Sequence, residues 1–123
     1  MDKVNLAQKF LMFTEHYSPK IVGEINDVYV KVVKLLGDFV WHHHQDEDEL
    51  FLVVRGALRM KLREGGSERE VVIHPGEFMI VPRGVEHLPS ADEETQVVLL
   101  EPKSTLNTGN IQNERTVANL QRI

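Results

Sequence analysis

The sequence predicts an all-β fold, a sandwich or barrel. Two observations predict it. Apolar or alternating runs of four to nine residues recur along the chain, and clusters of Gly, Pro, Asn and Asp punctuate them at regular intervals. A helical period is confined to the first residues. The 123 residues suffice for one domain (1–123) with a real core and no staples. There is no cysteine, which excludes a thiol nucleophile and leaves the redox compartment open. A net charge of −5 argues against nucleic acid as a partner. No signal-peptide core and no run of transmembrane length is present, so a cytoplasmic protein without membrane partners is the expectation.

Taken in order, Asp2 is a fair N-cap, and Leu6, Phe10, Phe13 and Tyr17 recur at helical spacing. The spacing predicts a short amphipathic helix over about 3–16 that packs on the barrel, ended by Ser18-Pro19. His16, at its end, reads as a surface or capping residue. Strands are expected over 21–25 and 28–36, joined by an Asn26-Asp27 turn, with Lys31 and Lys34 interrupting the second strand and Gly37 closing it. The next strand, 39–44, carries three consecutive histidines. Gln45 to Asp48 is an acidic, solvated turn. From Glu49 to Val54 both faces are apolar, so that strand is expected to be buried from both sides. Leu58, Met60 and Leu62 alternate with Arg59 and Lys61, a strand with one wet face. A Glu64-Gly65-Gly66-Ser67 hairpin leads to its partner at 70–73. His74 reads as a surface residue. Residues 78–81 form a buried strand and 95–101 a further one, separated by an acidic loop at Asp92-Glu93-Glu94. The barrel core is thus expected over about 20–102. The tail, 103–123, reads as too polar to build core.

The chemistry sits in two stretches. In the first, His42 and His44 share one face of an extended strand, about 7 Å apart, while His43 and Trp41 share the other. The acidic turn brings the chain back so that Glu49 can stand beside the two rings. Two imidazoles, a carboxylate and no thiolate suit a borderline or hard divalent metal. In the second, a short strand and a Pro82-Arg83-Gly84 turn lead to His87, the fourth candidate ligand. Glu86 should point away from it.

These stretches resemble the paired motifs of cupins: Gly37, His42-x-His44, Glu49 and Gly56, then Gly76, Pro82, Gly84 and His87. The gap between Gly37 and His42 is one residue shorter than usual, and Ala91 stands where an Asn is common. The resemblance covers 37–87. It implies a double-stranded β-helix (jelly-roll) barrel that binds one divalent metal through His42, His44, Glu49 and His87. The ion would be Fe, Mn, Ni, Zn or Co. The resemblance further implies a homodimer, paired through the first hairpin.

Three neutral imidazoles and one carboxylate leave a divalent ion with a residual charge of about +1. Four ligands leave two positions open on an octahedral ion, a feature of catalytic rather than purely structural sites. The expectation is a metal-dependent enzyme acting on a small organic molecule in the barrel, of dioxygenase, isomerase or decarboxylase type. The alternatives are a non-catalytic binding or sensing module and a barrel whose metal serves stability alone. No second ionisable group can be assigned to the cavity as an acid or base, so the catalytic residues are left open.

Overall fold

A computed structural model describes residues 1–123. After a short helix, α1 (Leu6–Phe10), come seven strands: β1 (Lys20–Ile25), β2 (Val28–Asp38), β3 (Glu49–Arg55), β4 (Leu58–Glu64), β5 (Ser67–Ile73), β6 (Phe78–Val81) and β7 (Glu86–Pro102). All pairings between strands are antiparallel. The order β1-β2-β7-β3-β6 forms one layer, and β4 joins β7 to β5 in the other.

Strand β7 ties the layers together. Its first part, Glu86 to Ser90, pairs with β4, and its last part, Thr95 to Pro102, pairs with β2, with β3 alongside. The acidic stretch Asp92–Glu94, expected as a loop, lies inside this strand at the corner between layers, with all three residues exposed. Charges fit there because a corner leaves both faces open to water. Strand β2 turns the same corner at a register shift between Leu35 and Gly37, where Gly37 adopts φ +77°. Such a shift bends a strand and lets one sheet feed another.

Inward parity is uniform. Val33 and Leu35 of β2, Phe51 and Val53 of β3, Met60 and Leu62 of β4, and Val97 and Leu99 of β7 belong to one buried cluster. A smaller cluster on the outer face joins Phe10 and Phe13 to Val32 and Val98.

Several expectations are corrected. The helix is one short turn capped by Asn5, whose side chain accepts from the Gln8 N–H, rather than a helix over 3–16 capped by Asp2. Phe13 and Tyr17 are buried, but from irregular chain; Tyr17 has φ +56°. Strand β6 is an edge strand, not a buried one: Phe78 and Ile80 are more than half exposed. On β3 the outer face is half-covered at Leu50 and Leu52 and open at Val54. Both interrupting lysines are buried. Lys34 donates to the Phe13 carbonyl at 2.6 Å, and Lys31 points into the barrel.

The tail also departs from expectation. It folds back on the barrel and buries Thr105 and Thr108. Asn107 accepts from Val117 N and donates to the Arg115 carbonyl, replacing ladder bonds with side-chain ones. The end of the chain then pairs with β1 through an Ile21–Arg122 bridge.

Candidate metal centre

His42 and His87 come from distant parts of the chain and meet as a directly opposed antiparallel pair. The backbone N–H of each donates to the carbonyl of the other, at 3.1 and 2.9 Å. Such pairing places two side chains face to face, and the ring centroids are 4.2 Å apart. This bridge is the one strand-like pairing in 39–44, which is otherwise not a regular strand. The alternation of faces nevertheless holds: His42 and His44 are buried, while Trp41 and His43 are half-buried. The Arg63 guanidinium stacks 3.7 Å over the Trp41 ring on the outside. Gly84 N donates to the His44 carbonyl, so the Pro82–Gly84 turn braces the second ligand strand. Glu49 opens β3, also facing inward.

One potential ligand atom from each of His42, His44, Glu49 and His87 lies within 4.8 Å of all the others, and all four residues are buried. The orientation of the rings suits a cation. Nδ1 of His42 lies 2.9 Å from the Val40 carbonyl, and Nδ1 of His87 lies 2.9 Å from the Val85 carbonyl. A carbonyl accepts only, so Nδ1 carries a hydrogen and Nε2 is the nitrogen turned to the centre. Glu49 Oε1 stands 3.2 Å from His87 Nε2 and 3.1 Å from His44 Nε2. The His44 contact is out of line for a hydrogen bond, and neither nitrogen of this buried ring has a hydrogen-bond partner. A buried imidazole without a partner costs free energy. A divalent cation at the centre removes that cost, so the donor set fits one.

Burial, helped by the nearby His87, lowers the His42 pKa to about 4, which keeps the ring neutral. Burial pushes the Glu49 carboxyl up, but the Glu101 carboxyl and the His44 and His87 rings packed against it outweigh that and hold the group well below the usual range.

Sequence reasoning missed Glu101 and Lys31. Both are 1–2% exposed, and Lys31 Nζ lies 2.6 Å from Glu101 Oε1. The ladder pairs Leu50 with Leu100, so Glu101 stands across from Glu49 on the neighbouring strand. Burial first, and then the Glu49 charge, raise its pKa well above the ordinary range, against the pull of Lys31. The expectation that no second ionisable group reaches the cavity is thereby corrected. The available signal was parity: Lys31 is in step with Val33 and Leu35, and Glu101 with Val97 and Leu99.

The cavity beside the cluster is lined by Tyr17, Val33, Leu35, Phe39, Phe51 and Leu99, with His42, Glu49, Glu101 and Asn107 among its polar residues. The cavity itself is small, about 40 Å³. The tail closes one side. Asn110 accepts from His43 N and donates back to the His43 carbonyl. Gly109 lies so close to His43 that a Cβ there would overlap its carbonyl oxygen. The turn at 45–48 is anchored as well: Asp48 accepts from Arg83 N, and Glu47 from Ser104. His16 and His74 are exposed, His16 paired with Glu94, and Glu86 points outward as expected.

Comparison with known proteins agrees with this geometry. Residues 32–102 match the family model described as a cupin domain. A cupin-2 domain containing protein from Shewanella frigidimarina superposes with a TM-score of 0.77 at 40% identity, covering 81% of this chain and 94% of that one. Protein YdbB of Bacillus subtilis is 32% identical over 54% of this chain and 56% of its own length. The 3-hydroxyanthranilate 3,4-dioxygenase of Ruegeria pomeroyi is 31% identical over 67% of this chain. The matches span about half the length of these two curated relatives.

Proposed function

Because the chain belongs to the cupin family, we propose that it is a metal-dependent enzyme acting on a small organic molecule, with dioxygenase chemistry as the leading type. His42, His44, Glu49 and His87 hold one divalent ion. The observation that carries this reading is the convergence of three Nε2-presenting or unpartnered imidazoles and one carboxylate within 4.8 Å. Similarity to the Ruegeria dioxygenase supports the dioxygenase type.

A divalent metal supplies Lewis acidity at this centre and, where it is redox-active, a route to dioxygen chemistry. The chain's own residues do the rest. The Val40 and Val85 carbonyls fix the tautomer and orientation of two rings. Burial keeps His42 neutral and therefore a competent ligand. Apolar side chains make up half of the cavity lining and would favour the apolar part of a bound molecule.

The test loads metal-free protein with Fe(II) and measures oxygen uptake over catechols, aminophenols, flavonols, diketones and thiols. Uptake that depends on one substrate and is lost in His87→Ala supports the proposal. Tight binding without turnover under Fe, Mn, Ni, Co and Zn would replace it with a binding module. The proposal extends to a homodimer; exposed Ile25 at the tip of the first hairpin is available for pairing, and sedimentation of the untagged chain tests it.

A further inference from the structure

The four candidate ligands are shut away from water: His42, His44, Glu49 and His87 are each 1–4% exposed. The cavity beside them, about 40 Å³, has room for little more than water. A benzene-sized ring needs about 150 Å³. An organic molecule therefore reaches the cluster only if part of the wall moves. Residues 107–117 of the tail stand over the way in. Asn107 lines the cavity itself. Gly109 packs on the His42 ring, where an added Cβ would come within 3.2 Å of Cδ2. The Arg115 guanidinium lies 5.0 Å over Tyr17 and 5.9 Å over Phe39, the aromatic pair of the cavity wall. On the other side of His44 a surface cleft is walled by Gly109 and Asn110 of the same segment.

This segment holds itself together better than it holds the barrel. Asn107 joins its two ends, accepting from Val117 N and donating to the Arg115 carbonyl. Thr108 donates to the Ile111 carbonyl at 2.5 Å and pairs with Thr116 at 2.7 Å, and Asn113 accepts from Arg115 N at 2.8 Å. Its hydrogen bonds to the barrel are two, both between Asn110 and the His43 backbone, at 2.9 and 3.1 Å. A compact loop with joined ends and its own internal packing is an Ω-loop. The chain is anchored on either side of it: Lys103 N donates to the Asp27 carbonyl, and Ile21 N donates to the Gln121 carbonyl. Those anchors keep the loop tethered while its middle lifts.

We propose that residues 107–117 are a lid: the loop lifts off 42–44 as one piece, and ion and ligand reach the four ligand atoms through the gap it leaves. The inference rests on the metal-dependent reading above. Lifting breaks the two Asn110–His43 bonds and the Arg115 stack, while the bonds inside the loop and the barrel ladders stay intact. Its return sets Gly109 back against His42 and shuts bulk water out of the centre.

The test measures rates and affinity separately on metal-free protein. Cobalt(II) alone is the probe, its uptake followed by visible absorbance and its release by adding excess EDTA. The chain has no cysteine, so His43→Cys/Asn110→Cys can be oxidised to one cross-link that pins the loop where the two backbones already meet. His43→Ser/Asn110→Ser is the control without a cross-link. The cross-link should slow uptake and release alike, by about tenfold or more, and leave the dissociation constant little changed. A tail that served stability alone would not slow both rates together. Asn110→Ala, which removes one of the bonds across the seam, should speed both by about two- to tenfold. Cross-linked protein that fills as fast as the serine control overturns the proposal. Should the cross-linked variant not fold, unchanged rates in Asn110→Ala overturn it. A wild type that takes up no cobalt sinks the metal-dependent reading itself, and the lid with it.

Discussion

The histidine cluster and the Lys31–Glu101 pair are equally buried and share one cavity, yet they manage burial in different ways. The cluster buries three imidazole rings and ties two of them to carbonyls two residues earlier in the chain. One ligand-type atom from each of its four residues converges within 4.8 Å, an arrangement that could hold a cation. The pair joins Lys31 Nζ to Glu101 Oε1 at 2.6 Å, and the Glu101 carboxyl also bonds to Glu49. The contrast is one of partners: the cluster offers a donor set that could hold an ion, whereas the pair is closed by contacts within the chain. Metal affinity should depend mainly on the first, with a smaller part from Glu101 through Glu49, and fold stability on the integrity of the second.

The sharpest way to break this contrast is to remove half of the pair. Glu101→Ala leaves Lys31 buried and unpaired, and should cost about 3–5 kcal/mol in denaturant unfolding. Lys31→Met/Glu101→Leu should recover most of that loss. If the double variant is as unstable as the single one, the pair is structural after all.

Acid should act on the cluster. The ordinary His42 pKa of 6.5 falls to about 4 in the folded, metal-free chain. The unfolded chain therefore binds the extra proton between those values, and stability falls as pH drops from 6.5 toward 4. The loss approaches about 3 kcal/mol, read as a shift in denaturant midpoint. His42→Phe should flatten that slope. An unchanged slope would show that other groups cause the acid sensitivity.

Ligand loss comes next. His42→Ala or His87→Ala should weaken metal binding by about 100-fold or more, since even the supporting partners of metal ligands are worth 10–100-fold. Smaller still is the tail. Gly109 sits at φ +57° against the His43 backbone, so Gly109→Ala should cost about 1–3 kcal/mol and make the tail easier to cleave by protease. His43→Ala, which removes a side chain facing away from the cluster, should leave metal affinity unchanged.

Much of this architecture was legible because its signals are local. His42-x-His44 carries its geometry in period-2 alternation, and Glu49 follows one turn later. Pro82-x-Gly84 fixes the approach to His87. Those features survive even though 39–44 is mostly irregular, because an extended chain alternates faces with or without a ladder. Other features depend on distant partners. Lys31 and Glu101 meet across 70 residues, and each looks like an ordinary charge in its own window. The Asp92–Glu94 run reads as a loop from composition, but tertiary pairing on both sides draws it into β7 as a corner. The tail carries few apolar residues, and its docking rests on Asn and Thr side chains bonding to backbone, which hydropathy does not register.

The account stands or falls on whether the four converging side chains bind an ion. Elemental analysis of untagged protein, after loading and desalting, measures this directly. One divalent ion per chain is predicted for wild type and for His43→Ala, and almost none for His87→Ala. A folded wild type that retains no metal, or an equal loss in the His43 and His87 variants, would contradict it.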